Sequence, residues 1–112
     1  MHPVNLLKSA DQPIRQEQLE TLIETRHIRL QRILSPADFR SELFQQAEDE
    51  WLVVLQGQGT LQMDERIVDL DTGDSLLIPA GTPHRVLSTS TDPLCIWLTL
   101  HLEAEEDNRA NA

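Results

Sequence analysis

The sequence predicts an all-β domain, an antiparallel sandwich or barrel, on three observations. Short apolar or alternating runs recur along most of the chain, clusters of turn residues separate them, and no long helical period lies among them. The first run, HIRLQRIL from His27, alternates Ile28 and Leu30 with Arg29 and Gln31 and reads as a strand with one wet face. Pro36, which has no N–H for a ladder, ends it. Further strands are predicted over Glu42–Gln46, Glu50–Gln56, Thr60–Met63, Arg66–Leu70, Ser75–Pro79, His84–Thr89 and Leu94–Leu102. The breaks are Gly57 with Gly59, Asp64 with Glu65, Asp71 to Asp74, Ala80 to Pro83 and Ser90 to Pro93, all rich in residues that favour turns.

Ahead of these strands, Leu19, Leu22 and Ile23 fall at offsets of three and four between Ile14 and Thr25, which predicts a short amphipathic N-terminal helix lying over the core. The expected organisation is an arm with this helix over residues 1–26, a barrel over 27–102, and an acidic tail over 103–112. The tail EAEEDNRANA has no apolar period and reads as solvated.

Composition narrows the partners. The chain has 112 residues, 19 Asp plus Glu against 9 Lys plus Arg, and a formal charge of -10, which suits one domain and repels a phosphate backbone. With only Phe39, Phe44, Trp51 and Trp97 as aromatics, a base-stacking surface is not expected either, so nucleic acid is not an expected partner. No apolar run approaches the ~20 residues of a membrane helix, and MHPVNLLKSADQP lacks the basic start and apolar stretch of a signal peptide, so no membrane partner and a cytoplasmic location are expected. Cys95 is the single cysteine and sits in an apolar run, where it reads as a small core residue.

The segment GDSLLIPAGTPHRVLS, from Gly73, orders its chemistry tightly. Gly73 allows the turn after Asp71, Leu76 to Ile78 form a buried strand, Pro79 stops it, Gly81 lets the backbone reverse, and His84 opens the returning strand. Gly73, Pro79, Gly81 and His84 at these intervals resemble the second motif of the cupin family; Ser88 departs from it, standing where the family usually has Asn. The resemblance covers most of the chain, from His27 to near Leu102, and implies a small jelly-roll β-barrel, so the predicted fold is an all-β cupin barrel with a short N-terminal helix.

The first cupin motif usually offers two histidines, then Glu, then Gly. Glu50 and Gly57 stand at the last two positions, whereas Phe44 and Gln46 stand where the histidines would be. The resemblance therefore implies a metal site reduced to Gln46, Glu50 and His84. A neutral amide oxygen, a carboxylate and an imidazole suit Mn, Fe, Zn or Ni, with weaker binding than a site of three histidines. A metal-free barrel is the alternative, since a lone Glu at a strand start and a lone His after a turn are often only hydrogen-bonded residues.

Phe44 and His101 are candidates to line the pocket. In CIWLTLHL, Ile96, Leu98, Leu100 and Leu102 share one face and Trp97, Thr99 and His101 the other, and period alone leaves open which face is inside. Arg85, beside His84, is a candidate cation for a sugar phosphate only if its strand twists towards the mouth. No Gly-x-Ser-x-Gly or phosphate-loop pattern is present, so covalent catalysis and nucleotide hydrolysis are not expected. The expected function is binding of a small polar metabolite, an organic acid or a sugar derivative, in the barrel mouth. The resemblance implies metal-dependent isomerases, dioxygenases and decarboxylases as possibilities, against a non-enzymatic binding or sensing barrel. Trp51, Val53 and Leu55, on the face opposite Glu50, predict packing against the arm or a second subunit, hence a homodimer.

Overall fold

From Asp49 to Gln56 side chains alternate between burial and partial exposure, with Glu50, Leu52 and Val54 inside and Trp51, Val53 and Leu55 outside. That period of two is what a strand with one face on a core requires. The computed structural model describes residues 2–8 and 14–104. Its strands are β1 (Gln18–Glu24), β2 (Ile28–Leu34), β3 (Asp49–Gln56), β4 (Gly59–Met63), β5 (Arg66–Leu70), β6 (Ser75–Ile78), β7 (His84–Thr89) and β8 (Ile96–Leu102). They form a five-stranded sheet in the order β1-β2-β8-β3-β6 and a three-stranded sheet in the order β5-β4-β7. All paired neighbours are antiparallel.

The inner faces of the two sheets meet in a core of Leu52, Val54, Leu61, Leu70, Ile78, Cys95 and Trp97. Trp97 is fixed on both sides. Its indole N–H donates to Ser35 Oγ at 2.9 Å, and Gly59 lies against its ring, where a Cβ would come within 2.3 Å of Cη2. Burial pushes the Cys95 thiol up to about 12, so this cysteine is an inert core residue.

Two predicted elements change. The expected N-terminal helix is instead β1, paired along β2 from Gln18↔Leu34 to Glu24↔Arg29, and no helix occurs among the described residues. The physical reason is competition for backbone partners. A two-turn helix is marginal alone, whereas β2 presents an open edge of N–H and C=O groups, and Thr21, Ile23 and Thr25 are β-branched. A register shift between Thr21 and Ile23 produces the apparent helical spacing: Leu19 lies opposite Ile33 and Ile23 opposite Leu30, on opposite faces.

The strand expected over Glu42–Gln46 shrinks to one bridge, Phe44↔His84. Its ladder is interrupted because Ser41 Oγ accepts the Val86 N–H and the Gln46 carbonyl accepts the Gly81 N–H, which bends the segment along the edge of β7. The acidic tail lies outside the described residues except for Glu103 and Ala104, and residues 9–13 of the arm lie outside them as well. Among the described residues, no helix is long and apolar enough to cross a membrane.

Candidate functional site

The register of the large sheet sorts the cavity wall into rows. Arg29, His101 and Glu50 stand opposite one another on β2, β8 and β3; the next inward-facing row is Gln31, Thr99 and Leu52, and the next is Ile33, Trp97 and Val54. The wall therefore grades from charged at one end to apolar in the core. Across the cavity, the small sheet contributes Leu61 from β4 and His84 and Val86 from β7, and the bent segment contributes Ser41, Phe44 and Gln46. The cavity is open at its mouth and has a volume of about 320 Å³, the small end of the range for ligand pockets.

His84 is placed by the turn before it. Gly81 adopts φ 82°, a conformation that favours glycine, and the loop is tied down by Gly81 N–H to the Gln46 carbonyl at 2.7 Å and by Ala80 N–H to Asp49 Oδ1 at 2.8 Å. The same bonds hold Gln46 and the start of β3 against the turn between β6 and β7. His84 Nδ1–H donates to the Thr82 carbonyl at 2.9 Å, which turns Nε2 towards Glu50 Oε1, 3.5 Å away. Both side chains are buried, at 8% and 11% exposure, so water screens this pair weakly. Phe44 packs near the His84 ring at a centroid distance of 6.0 Å.

The two cavity histidines are pushed in opposite directions. Burial alone would lower the His84 pKa; the Glu50 hydrogen bond, the Thr82 carbonyl and the Glu50 charge together outweigh it, and His84 is raised. For His101 burial wins, with Glu50 and Glu48 opposing it and Arg29 and His84 reinforcing it, so His101 is lowered. Its Nδ1 lies 3.6 Å from Glu48 Oε1, beyond hydrogen-bond length.

Three polar atoms of this wall, Gln46 Oε1, Thr99 Oγ1 and His101 Nδ1, are buried without a hydrogen-bond partner. The sequence-predicted positions Gln46, Glu50 and His84 thus line one cavity, together with Phe44 and His101. Arg85 does not: His84 and Val86 face the cavity and Arg85, between them, faces away. Sequence reading missed Glu17, Arg29 and Gln31, which also line it, and left open the face that carries Thr99. The signal for Arg29 and Gln31 existed in the alternation of HIRLQRIL, because a wet face can line a cavity as well as meet solvent.

The donor chemistry decides how a divalent ion would fit. Among the described residues, no three His, Cys, Asp or Glu side chains are grouped to hold one. The set that remains is Glu50 and His84, already facing each other, and the orphaned amide oxygen of Gln46. It reaches the three protein donors of an open catalytic site only by counting a neutral amide, and so fits an ion held weakly.

Comparisons with known proteins agree with this architecture. The family model for the cupin domain matches residues 33–101. A Ralstonia eutropha protein that carries the provisional name mannose-6-phosphate isomerase is 26% identical, with a TM-score of 0.82 over 93% of this chain and 100% of that one. A cupin superfamily protein from Desulfitobacterium hafniense is 17% identical, with a TM-score of 0.76 over 85% of this chain and 84% of that one. KdgF from Halomonas sp. is 15% identical, with a TM-score of 0.71 over 93% and 95%. No functionally curated protein matches. Since the family model spans well over half of the sequence and covers β3 to β7 with all but the last residue of β8, the chain belongs to the cupin family.

Proposed function

We propose that this cupin binds a small polar metabolite in the barrel mouth and moves a proton on it, in the manner of an isomerase. The observation that carries the reading is the meeting, in one cavity, of the buried Glu50–His84 pair with three polar atoms that have no partner. An unsatisfied buried polar group costs about 1–3 kcal/mol, so such atoms favour a polar guest that completes their bonds. His84, held towards its cation, is the proton donor, and His101, held neutral, is the acceptor; Glu50 lies opposite His101 in register and orients His84. The similarity to the Ralstonia protein supports the isomerase reading.

The test is a thermal-shift screen of hydroxy acids, oxo acids and sugars against the native protein, Glu50→Gln and His84→Gln. The expected result is stabilisation of the native protein by at least one compound, and its loss in both variants. No stabilising compound, or equal stabilisation of the variants, sinks the reading.

Gln46 Oε1 favours a second reading, in which Mn, Fe, Zn or Ni is held by Gln46, Glu50 and His84. Such an ion, when bound, polarises a carbonyl or activates water. Metal analysis of the native protein beside Glu50→Ala and His84→Ala is expected on this reading to give stoichiometric metal that both variants lose. Metal retained in both variants, or absent from the native protein, overturns it.

The assembly proposed with this function is a homodimer through the outer face of the large sheet. Leu30, Leu98, Leu100, Trp51 and Val53 are paired across adjacent strands there and only half-buried, and Leu77 is 52% exposed. An apolar sheet face of this extent is what an isologous dimer covers. Arg32, on the same face, binds the Leu6 and Lys8 carbonyls, so the arm is positioned to border the interface. Val53→Asp is expected to give a monomer by light scattering at micromolar concentration where the native protein is a dimer. A native monomer would refute the assembly.

A further inference from the structure

We infer that Arg29 is an anion subsite of this cavity, so that the ligand is a small hydroxy or oxo compound ending in an oxyanion, a carboxylate or a phosphate ester. Arg29 opens the charged row of the wall, with His101 directly opposite it and Glu50 on the next strand. At a strand spacing of about 4.8 Å, its backbone lies about 10 Å from that of Glu50, and both side chains line the cavity on the same face of the sheet. A short ligand anchored at Arg29 therefore lays its adjacent hydroxyl or carbonyl over His101, beside Glu50.

Among the described lining residues, Arg29 is the one side chain with a permanent positive charge. Its guanidinium carries five N–H donors, and its hydrogen bond to another side chain runs from Nη2 to Glu48 Oε1 at 3.2 Å. Glu48 is 36% exposed, so this partner is held in a partly wet pair that a bound anion can displace. An oxyanion that offers two oxygens to the guanidinium fork, as a carboxylate and a phosphate both do, suits it better than a single carboxylate oxygen does. Of the two lining carboxylates, Glu50 is offset by His84 and Glu17 is pushed by burial towards its neutral acid, so an incoming anion takes the place of Glu48 at Arg29 while Glu48 turns to water. The remaining orphans, Thr99 Oγ1 and His101 Nδ1, sit in the same two rows and meet the polar atoms next to the anion.

This inference rests on the ligand-binding reading above, and its test separates the two. The probes are 3-hydroxybutyrate against 3-hydroxybutyramide, and glycerol 3-phosphate against glycerol, with binding followed by NMR at the Trp97 indole and the His101 ring. In the native protein at least one anion is expected to bind about tenfold more tightly than its neutral partner, and the pair that shows the preference distinguishes carboxylate from phosphate. Arg29→Gln is expected to abolish the preference. Glu48→Gln, which removes the competing carboxylate and keeps the arginine, is expected to strengthen it several-fold, an opposite effect that a merely structural role for Arg29 does not give. Equal binding of anion and neutral partner, or a preference that survives Arg29→Gln, overturns the anion subsite and leaves the ligand-binding reading standing. An Arg29-dependent preference that Glu50→Gln does not weaken for any probe supports the subsite and overturns the role given to Glu50. Absence of binding by all four probes overturns the subsite.

Discussion

Trp97→Ala is expected to cost about 3–5 kcal/mol of folding stability, read as a lower urea midpoint by circular dichroism. Trp97 is 3% exposed, belongs to the main core cluster, and also forms part of the cavity wall. Its neighbours cannot collapse into the space it leaves, because Gly59 approaches it with backbone and Ser35 faces its ring nitrogen. Trp97→Phe separates packing from hydrogen bonding. It keeps most of the apolar area but leaves Ser35 Oγ, in a residue with 0% exposure, without its donor, which is expected to cost about 1–3 kcal/mol. Adding Ser35→Ala to Trp97→Phe is expected to return part of that loss. If Trp97→Phe is equally damaging in the native and Ser35→Ala backgrounds, the hydrogen bond contributes nothing and the stability is packing alone.

The same residue shows how far sequence reaches. The alternation in CIWLTLHL separates Trp97, Thr99 and His101 from Ile96, Leu98, Leu100 and Leu102, but it cannot say which set is inside, since both faces are rich in large side chains. Strand order decides: β8 lies between β2 and β3, so His101 falls into line with Arg29 and Glu50, and that pairing is a long-range fact. The strands from β3 to β8 were legible because turn residues bound them and their register shifts, at Val54/Gln56 and at Thr60/Leu61, fall near strand ends. β1 was not, because one bulge between Thr21 and Ile23 turns a strand's spacing into a helix's. Gln46, Glu50 and His84 were proposed as a set only through the resemblance to the two cupin motifs. Arg29 was not, because the cupin motifs do not include it and its alternating run reads equally well as a solvent face.

Glu50→Gln is expected to reverse the direction of the His84 shift. Burial is the largest influence on His84 and lowers its pKa; the protein raises it only because the Glu50 bond and charge, with the Thr82 carbonyl, outweigh burial. An amide at position 50 removes the charge and leaves only a neutral, weaker acceptor for the imidazolium, so His84 is expected to titrate below the ordinary histidine value of 6.5 in the variant and above it in the native protein. His101, which Glu50 also raises against the dominant effect of burial, is expected to move lower still. NMR titration of the ring protons in chelator-treated protein reads both groups. In the native protein the window in which His84 is charged and His101 neutral brackets 6.5, and ligand binding and turnover are expected to peak inside it. The stability consequence has a defined sign for each group. The contribution of His84, raised on folding, is fully present below its unfolded value and is lost as pH rises through its folded value. That of His101, lowered on folding, is present above its unfolded value and is lost as pH falls through its folded value. Subtracting the pH profile of Glu50→Gln from that of the native protein isolates what Glu50 supplies, an advantage that shrinks as pH rises through the native His84 value. A His84 midpoint unmoved by the substitution, or an advantage that does not vary with pH, would show that Glu50 and His84 are neighbours without being a functional pair.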